Sequence, residues 1–290
     1  MDATAAQAAV TRLVDPDRYP LAAPDSTAWA DAVARARREL ADSGCCVLPG
    51  FVRSDLLDDL QREGAALAPS AYYDVEVVNV YNTAPDPSLA DSHPGRRTLE
   101  RGNAFVARDL VPGDAMISRL YRDAHFQRFV AGCFGLPVVH ELADPLSGLT
   151  LNVLTEGRSH PWHFDTNEFA VSLLTQAPAG GGRFEYCPGI RTAEDERFDD
   201  VAAVLDGRGE RLVRGFTLRP GDLQLFLGRY SLHRVTAVQG LRERHSAIFA
   251  YSARPGVVGT VERTRQLFGR VLSAHLAAED RAVRVDELLV

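Results

Sequence analysis

What this chain lacks narrows its class before any motif is read. No stretch of the 290 residues approaches the roughly 18 consecutive apolar residues that a membrane helix needs. The N-terminus carries no cationic segment leading into an apolar run and a small-residue cleavage site. The expectation is a soluble, cytoplasmic protein with no membrane contact. Basic excess is missing too. Lys plus Arg number 32 against 39 Asp plus Glu, a formal net charge of −7, and neutralising nucleic-acid phosphates needs a basic face. Cysteine is scarce: Cys45, Cys46, Cys133 and Cys187 show neither zinc-ribbon nor redox spacing, and adjacent Cys45 and Cys46 are poorly placed to bridge each other. They read as small buried apolar residues in a reducing compartment. The glycine run Ala177-Pro178-Ala179-Gly180-Gly181-Gly182 lacks the Lys-Ser/Thr ending of a phosphate loop and precedes a strand pattern, so it reads as a hairpin turn joining two strands.

With 46% hydrophobic residues, the chain can bury a substantial core as one domain. Residues 1–25, with Pro16, Pro20 and Pro24, read as a loosely ordered segment, and 26–290 as the domain. Periodicity predicts a helix over about 28–40 stopped at Gly44, a short buried strand from Cys45, and a second helix from Ser54 to Ala68. A sheet-extending strand is expected over Tyr72–Asn82. Thr83 to Arg97 reads as a long polar loop, either a lid or a surface excursion. One packing helix is expected over Met116–Phe134, a short helix within Asp195–Leu205, a strand at Arg211-Leu212-Val213, and a terminal helix over about Val261–Leu276 with arginines outside and Leu/Val inside. The tail from Ala282 has no evident pattern.

The chemistry gathers at His160-Pro161-Trp162-His163-Phe164-Asp165-Thr166. In an extended chain residues i and i+2 share a face, so His163 and Asp165 project side by side. His233, after the turn at Gly228, is the candidate third donor. Two imidazoles and one carboxylate leave open positions on an octahedral ion, which suits non-haem Fe(II). Arg244-His245-Ser246 follows at the head of an apolar strand. Arg244 and Ser246 share a parity, as a buried dicarboxylate needs from a guanidinium fork and a hydroxyl, and His245 faces away. Asn152 alternates against leucines in Leu149–Leu154, either facing the cavity or capping an edge. By strand parity Trp162 and Thr166 point away from the ligand face unless the chain twists there.

The order His163-x-Asp165, His233, Arg244-x-Ser246 resembles the Fe(II)- and 2-oxoglutarate-dependent dioxygenases. Together with Gly181-Gly182-Arg183-Phe184-Glu185-Tyr186-Cys187-Pro188 and Gly228-Arg229-x-Ser231-Leu232-His233-Arg234-Val235, it is similar to one branch: the stand-alone free amino-acid hydroxylases and halogenases related to the bacterial lysine halogenases. The resemblance runs from about Pro112 to Gly256. It implies a mainly β fold with flanking helices, a double-stranded β-helix (jelly roll) core over about 149–255, and supporting helices at both ends. It implies Fe(II) on His163, Asp165 and His233, 2-oxoglutarate held by Arg244, Ser246 and Asn152, and O2 as the second co-substrate. It further implies a substrate pocket with His160, Thr166 and Trp162, and an arginine, Arg101 or alternatively Arg97 or Arg108, on the substrate carboxylate.

Halogenating relatives replace the metal-binding carboxylate with a small residue, whereas Asp165 is retained here. The expected reaction is therefore hydroxylation of an unactivated C–H bond of a small substrate, a free amino acid and perhaps a basic one, with release of succinate and CO2. Glu168, Glu185 and Asp144 are the acids available to a substrate amine. Desaturation or cyclisation of an amino-acid-derived metabolite shares the same chemistry. A non-catalytic metal-binding jelly roll would not need Arg244-x-Ser246, and a zinc hydrolase would need a nearby general-base Glu that the motif lacks.

Overall fold

The computed structural model describes residues 12–102, 104–278 and 288–289. Its centre is a seven-stranded antiparallel sheet facing a four-stranded one. The major sheet runs Cys45–Leu48, Leu223–Phe226, Ala170–Gln176, Arg244–Phe249, Leu149–Leu154, Ala104–Val106, Tyr72–Tyr73 in spatial order. The minor sheet runs Arg214–Phe216, Phe184–Cys187, Leu232–Val235, His160–His163. Two facing antiparallel sheets with flanking helices form the jelly roll expected from the motif order.

Strand alternation divides the major sheet into two faces. Leu149, Leu151, Val153, Val171, Leu173, Leu223, Leu225, Ala247 and Phe249 join the main apolar core. The helices Thr27–Ser43, Leu57–Leu67 and Ala124–Phe134 contribute Val33, Ala36, Leu60, Phe126 and Phe129 to the same core, so the helical layer covers that face. The alternate positions Thr150, Asn152, Ser172, Gln224, Arg244 and Ser246 line a cavity between the sheets. A strand with one face on helices and one on a polar cavity is buried on both sides, and all six residues of Leu149–Leu154 are buried.

Several elements differ from the sequence expectation for local reasons. The loosely ordered segment was expected over 1–25; residues 1–11 lie outside the described residues, but 12–25 are tied down. Val14 bridges Val52, Arg53 N–H donates to Leu13 O at 3.0 Å, and Leu13, Val14, Tyr19 and Leu21 are buried. The single helix expected over Met116–Phe134 is two, Met116–Arg122 and Ala124–Phe134. Between them Asp123 is extended and its carboxylate accepts the Phe126 N–H, a cap worth about 1 kcal/mol. The terminal helix likewise breaks at Gly269, which takes a left-handed conformation between Val261–Phe268 and Ser273–Leu276.

Tyr72–Asn82 is not one strand: Tyr72–Tyr73 edges the major sheet, and Glu76–Val78 pairs separately with Leu99–Arg101. Arg211-Leu212-Val213 is no strand either. A 3-10 turn covers Glu210–Leu212 and the strand begins at Arg214. The Gly180 turn carries the chain from one sheet to the other, instead of closing a hairpin within one. The loop after Thr83 is fastened from within: buried Asn79 donates to Thr83 Oγ1 at 2.8 Å and Gly95 O at 2.9 Å. Only its start, Asn82 to Ala84, reaches the cavity. The four cysteines are free and buried.

Candidate metal and co-substrate site

His163 and His233 sit directly opposite each other on the last two strands of the minor sheet. Their rings are 4.0 Å apart, and both side chains are buried. In each ring Nδ1 meets the backbone carbonyl two residues back, Pro161 O at 2.8 Å and Ser231 O at 2.9 Å. That hydrogen bond makes Nδ1 the protonated nitrogen and turns the Nε2 lone pair toward the cavity. Asp165 lies just past the strand end, with Oδ1 at 3.7 Å from His163 Nε2 and 3.4 Å from His233 Nε2. One ligand atom from each of the three residues lies within 4.8 Å of the others, and no other such group of His, Cys, Asp and Glu is found among the described residues.

The electrostatics suit a cation. Burial, and next the neighbouring His160 and His233 charges, drive His163 well below the ordinary histidine pKa, so it stays neutral. Burial pushes the Asp165 carboxyl up, but the charge and hydrogen bond of His233 lead the opposing effects, which leave the group below its usual value. A neutral imidazole and an ionised carboxylate are the ligating forms. Gly228 contributes by what it lacks: a Cβ there would collide with the Asp165 carboxylate, and its carbonyl accepts the Asp165 N–H at 3.1 Å.

The opposite wall is the major sheet. Arg244 and Ser246 are buried on adjacent inward positions, with Nη1 donating to Oγ at 2.9 Å. Asn152 faces Ser246 across the ladder and donates to Ala104 O at 3.3 Å. Burial alone pulls the Arg244 pKa down to about 10, and among the described residues the only side chain bonded to it is a neutral hydroxyl. A guanidinium held so is incomplete until a carboxylate arrives. Both walls enclose one cavity of about 540 Å³. The residues present therefore fit a ferrous ion and a dicarboxylate co-substrate.

The expected substrate residues divide. His160 lines the cavity, stacked on His163 with ring centroids 3.9 Å apart, and its buried Nε2 has no partner. Its inward aim has a clear cause. Val235 opposes His160 and His233 opposes His163, so three steps on one strand match two on the other, and this bulge reverses the parity upstream of His163. Thr166 also lines the cavity, because the chain has left the strand by then.

Trp162 does not line it: the ring packs into a second apolar cluster on the outer side of the minor sheet, with the Arg234 guanidinium 4.6 Å over its face. Strand parity held there, and the pocket role implied by resemblance is corrected. Arg101 is buried but ion-paired with Glu76, its ladder partner, and Nη1 donates to Asn82 Oδ1 at 3.3 Å, so it is not a cavity-lining cation. Arg97 pairs with Asp206 and Arg108 with Glu141. Besides Arg244, the cavity is lined by Arg263, on the helix whose arginines were expected outside. Its signal lay in the i, i+3, i+4 set Arg263, Gln266, Leu267, which shares one helix face and lines the cavity together.

Comparison with known proteins places this geometry. A search of curated proteins finds no match. Among solved structures the fold is similar to the non-haem, alpha ketoglutarate-dependent epimerase SnoN from nogalamycin biosynthesis: 15% identity over 77% of this chain and 81% of that one, TM-score 0.53. A further structure of SnoN in complex with Fe3+, alpha ketoglutarate and nogalamycin RO matches at 17% identity over 77% and 84%, TM-score 0.50. Apo EctD from S. alaskensis matches at 20% identity over 87% of this chain and 86% of that one, TM-score 0.50. The family model for Halogenase D matches residues 28–266, spanning both walls of the cavity. The chain therefore belongs to the Halogenase D family, on the fold of the Fe(II)- and 2-oxoglutarate-dependent oxygenases.

Proposed function

We propose that this protein is an Fe(II)- and 2-oxoglutarate-dependent oxygenase that hydroxylates an unactivated C–H bond of a small substrate, a free amino acid, with release of succinate and CO2. The observation that carries the reading is the convergence of His163, Asp165 and His233 on one point of a cavity whose far wall presents a buried guanidinium with no carboxylate bonded to it. SnoN, of like fold, is described with iron and alpha ketoglutarate bound.

Ferrous iron with 2-oxoglutarate and O2, when bound, supplies an oxidant strong enough to take hydrogen from an unactivated carbon. The chain's residues do the rest. His163 and His233 would hold the ion through Nε2, because their Nδ1–H groups are bonded to Pro161 O and Ser231 O, which fixes both rings. Asp165 completes the set and keeps its position filled by a carboxylate, which favours hydroxylation over halide transfer. Arg244, steadied by Ser246, would receive the far carboxylate of the co-substrate. Phe184, Phe226 and Val235 surround His233 and keep water from that side.

The reading is tested by incubating the protein with Fe(II), 2-oxoglutarate and O2 across the proteinogenic amino acids. Succinate formation coupled to a mass gain of one oxygen in one of them is expected. Product with one chlorine in chloride buffer, or no succinate with any of them, would count against it.

A further inference from the structure

The cavity contains a second guanidinium that neither metal nor co-substrate uses. Arg263 lies in the first turn of the helix Val261–Phe268, whose position is set by Thr260 Oγ1 accepting the Arg263 N–H at 3.2 Å and by Gly269 at the other end. Its Nη1 donates to Gln266 Oε1 at 3.3 Å, and no carboxylate of the described residues pairs with it. Burial pulls its pKa down to about 10, with the Asp165 charge acting the other way, and its own charge is felt at Asp165, His160 and Arg101. Every side-chain cation of Lys or Arg type in this chain is an arginine, and buried Arg101, Arg191 and Arg229 have partners: Glu76, Glu196 and the Thr166 carbonyl. Arg244 is matched by the co-substrate. Arg263 alone faces the cavity with nothing but an amide, so its ion pair is completed only by something that enters.

The acids show the converse. Two carboxylates line the cavity: Asp165, which belongs with the two histidines, and Glu262, which is exposed. Of the three acids that a substrate amine was expected to meet, Glu168 is exposed, Glu185 is bound to Arg234, and Asp144 is fully buried. The Asp144 carboxylate accepts the N–H groups of Leu146, Ser147 and Gly259 and meets His275. The helix that carries Arg263 also brings Leu267 and Phe268 to the cavity, and Phe105 packs edge-on against Phe268. A basic side chain entering here would meet a like charge at Arg263 and find, among the described residues, no free buried acid to neutralise it.

We propose that Arg263 receives the carboxylate of the substrate, in the role expected of Arg101, and that the substrate's side chain is uncharged, so that the substrate class is amino acids with neutral side chains and not basic ones. This rests on the oxygenase reading for the reaction, but its own content is a binding preference. A carboxylate on Arg263 shares the cavity with the metal ligands, and the neutral side chain has Phe105, Leu267 and Phe268 to rest on.

The test measures binding as well as turnover. Anaerobic protein loaded with Fe(II) and 2-oxoglutarate is titrated calorimetrically with leucine, methionine, phenylalanine, lysine, ornithine and arginine, and with the amide of each compound that binds. At least one neutral side chain is expected to bind and none of the basic ones. Its amide should bind about 30-fold more weakly, as loss of one partner of a desolvated charge pair implies. Arg263→Gln should shrink the gap between acid and amide to about threefold, and Arg263→Lys should restore part of it. In both variants the visible band of the Fe(II)–2-oxoglutarate complex should be unchanged, since Arg244 is intact. Tightest binding by a basic amino acid, no binding by any neutral one, or an Arg263→Gln variant that weakens acid and amide alike or neither, would overturn the proposal and leave the oxygenase reading standing. Absence of the band in the unmutated protein before any substrate is added would instead sink the oxygenase reading, and the proposal with it.

Discussion

The two walls of the cavity are built differently. The major-sheet wall is regular where Arg244–Phe249 pairs with Leu149–Leu154, which sets Ser246 directly opposite Asn152 and Arg244 two positions along; the only shift in the strand's register is toward Ala170–Gln176, between His245 and Ser246. The minor-sheet wall is irregular. A bulge reverses parity between His160 and His163, and the chain leaves the strand before Asp165. The regular wall can only hold a partner in one fixed register, as a co-substrate common to many reactions requires. The irregular wall gathers His160, His163, Asp165 and Thr166 from seven consecutive positions onto one cavity, which an unbroken strand cannot do.

Breaking the irregular wall at its ligands should have the largest effect. His233→Ala removes a ligand outright; disturbing a ligand's supporting partner alone costs ~10–100-fold in metal affinity, so a loss above ~100-fold in Fe(II) affinity is expected by equilibrium titration, with no measurable succinate. On the regular wall, Arg244→Gln should leave Fe(II) binding within about twofold and raise the KM for 2-oxoglutarate at least ~30-fold, the lower end of the ~2–5 kcal/mol lost when one partner of a buried charge pair is truncated. A variant that loses iron and co-substrate together would show that the two walls are not separable.

Gly228→Ala probes the join. The added methyl must displace the Asp165 carboxylate, so Fe(II) affinity is expected to fall ~10–100-fold while the KM for 2-oxoglutarate of the iron-saturated enzyme changes little. Smallest of all should be Trp162→Phe. It trims a ring on the outer side, where Arg234 stacks, at a cost of about 1 kcal/mol in stability with substrate KM unchanged.

The two walls also differ in how they respond to acid. Burial drives both His160 and His163 well below the ordinary histidine value. Each therefore contributes stability that is whole above the unfolded pKa of about 6.5 and is lost as pH falls from there toward the lower folded pKa, because the unfolded chain takes up the proton first. The metal-free protein should melt at progressively lower temperature below about pH 6.5, and His160→Asn should flatten that dependence. An equally steep profile in the variant would remove His160 from the account.

Legibility in the sequence followed the same division. Arg244, Ser246 and Asn152 were readable because a period of two is all that places them. His163, Asp165 and His233 were readable as a spacing. What failed was whatever depended on breaks in period or on partners distant in the chain. Trp162 was assigned to the pocket by resemblance against its own parity, and parity prevailed. Arg101 was expected at the substrate, but no local pattern announces that its ladder partner is Glu76. Arg263 went unnoticed because the terminal helix was given its apolar face by composition, while the fold turns Arg263, Gln266 and Leu267 together toward the cavity. The N-terminal prolines suggested looseness, yet Leu13 and Val14 close the core beside Val52.

The account is tested most directly by adding Fe(II) and then 2-oxoglutarate to the protein under anaerobic conditions and following the visible spectrum. A charge-transfer band that needs both components, disappears in His233→Ala, and in Arg244→Gln returns only at much higher 2-oxoglutarate is the predicted result. A band that survives loss of His233, or none in the unmutated protein, would contradict it.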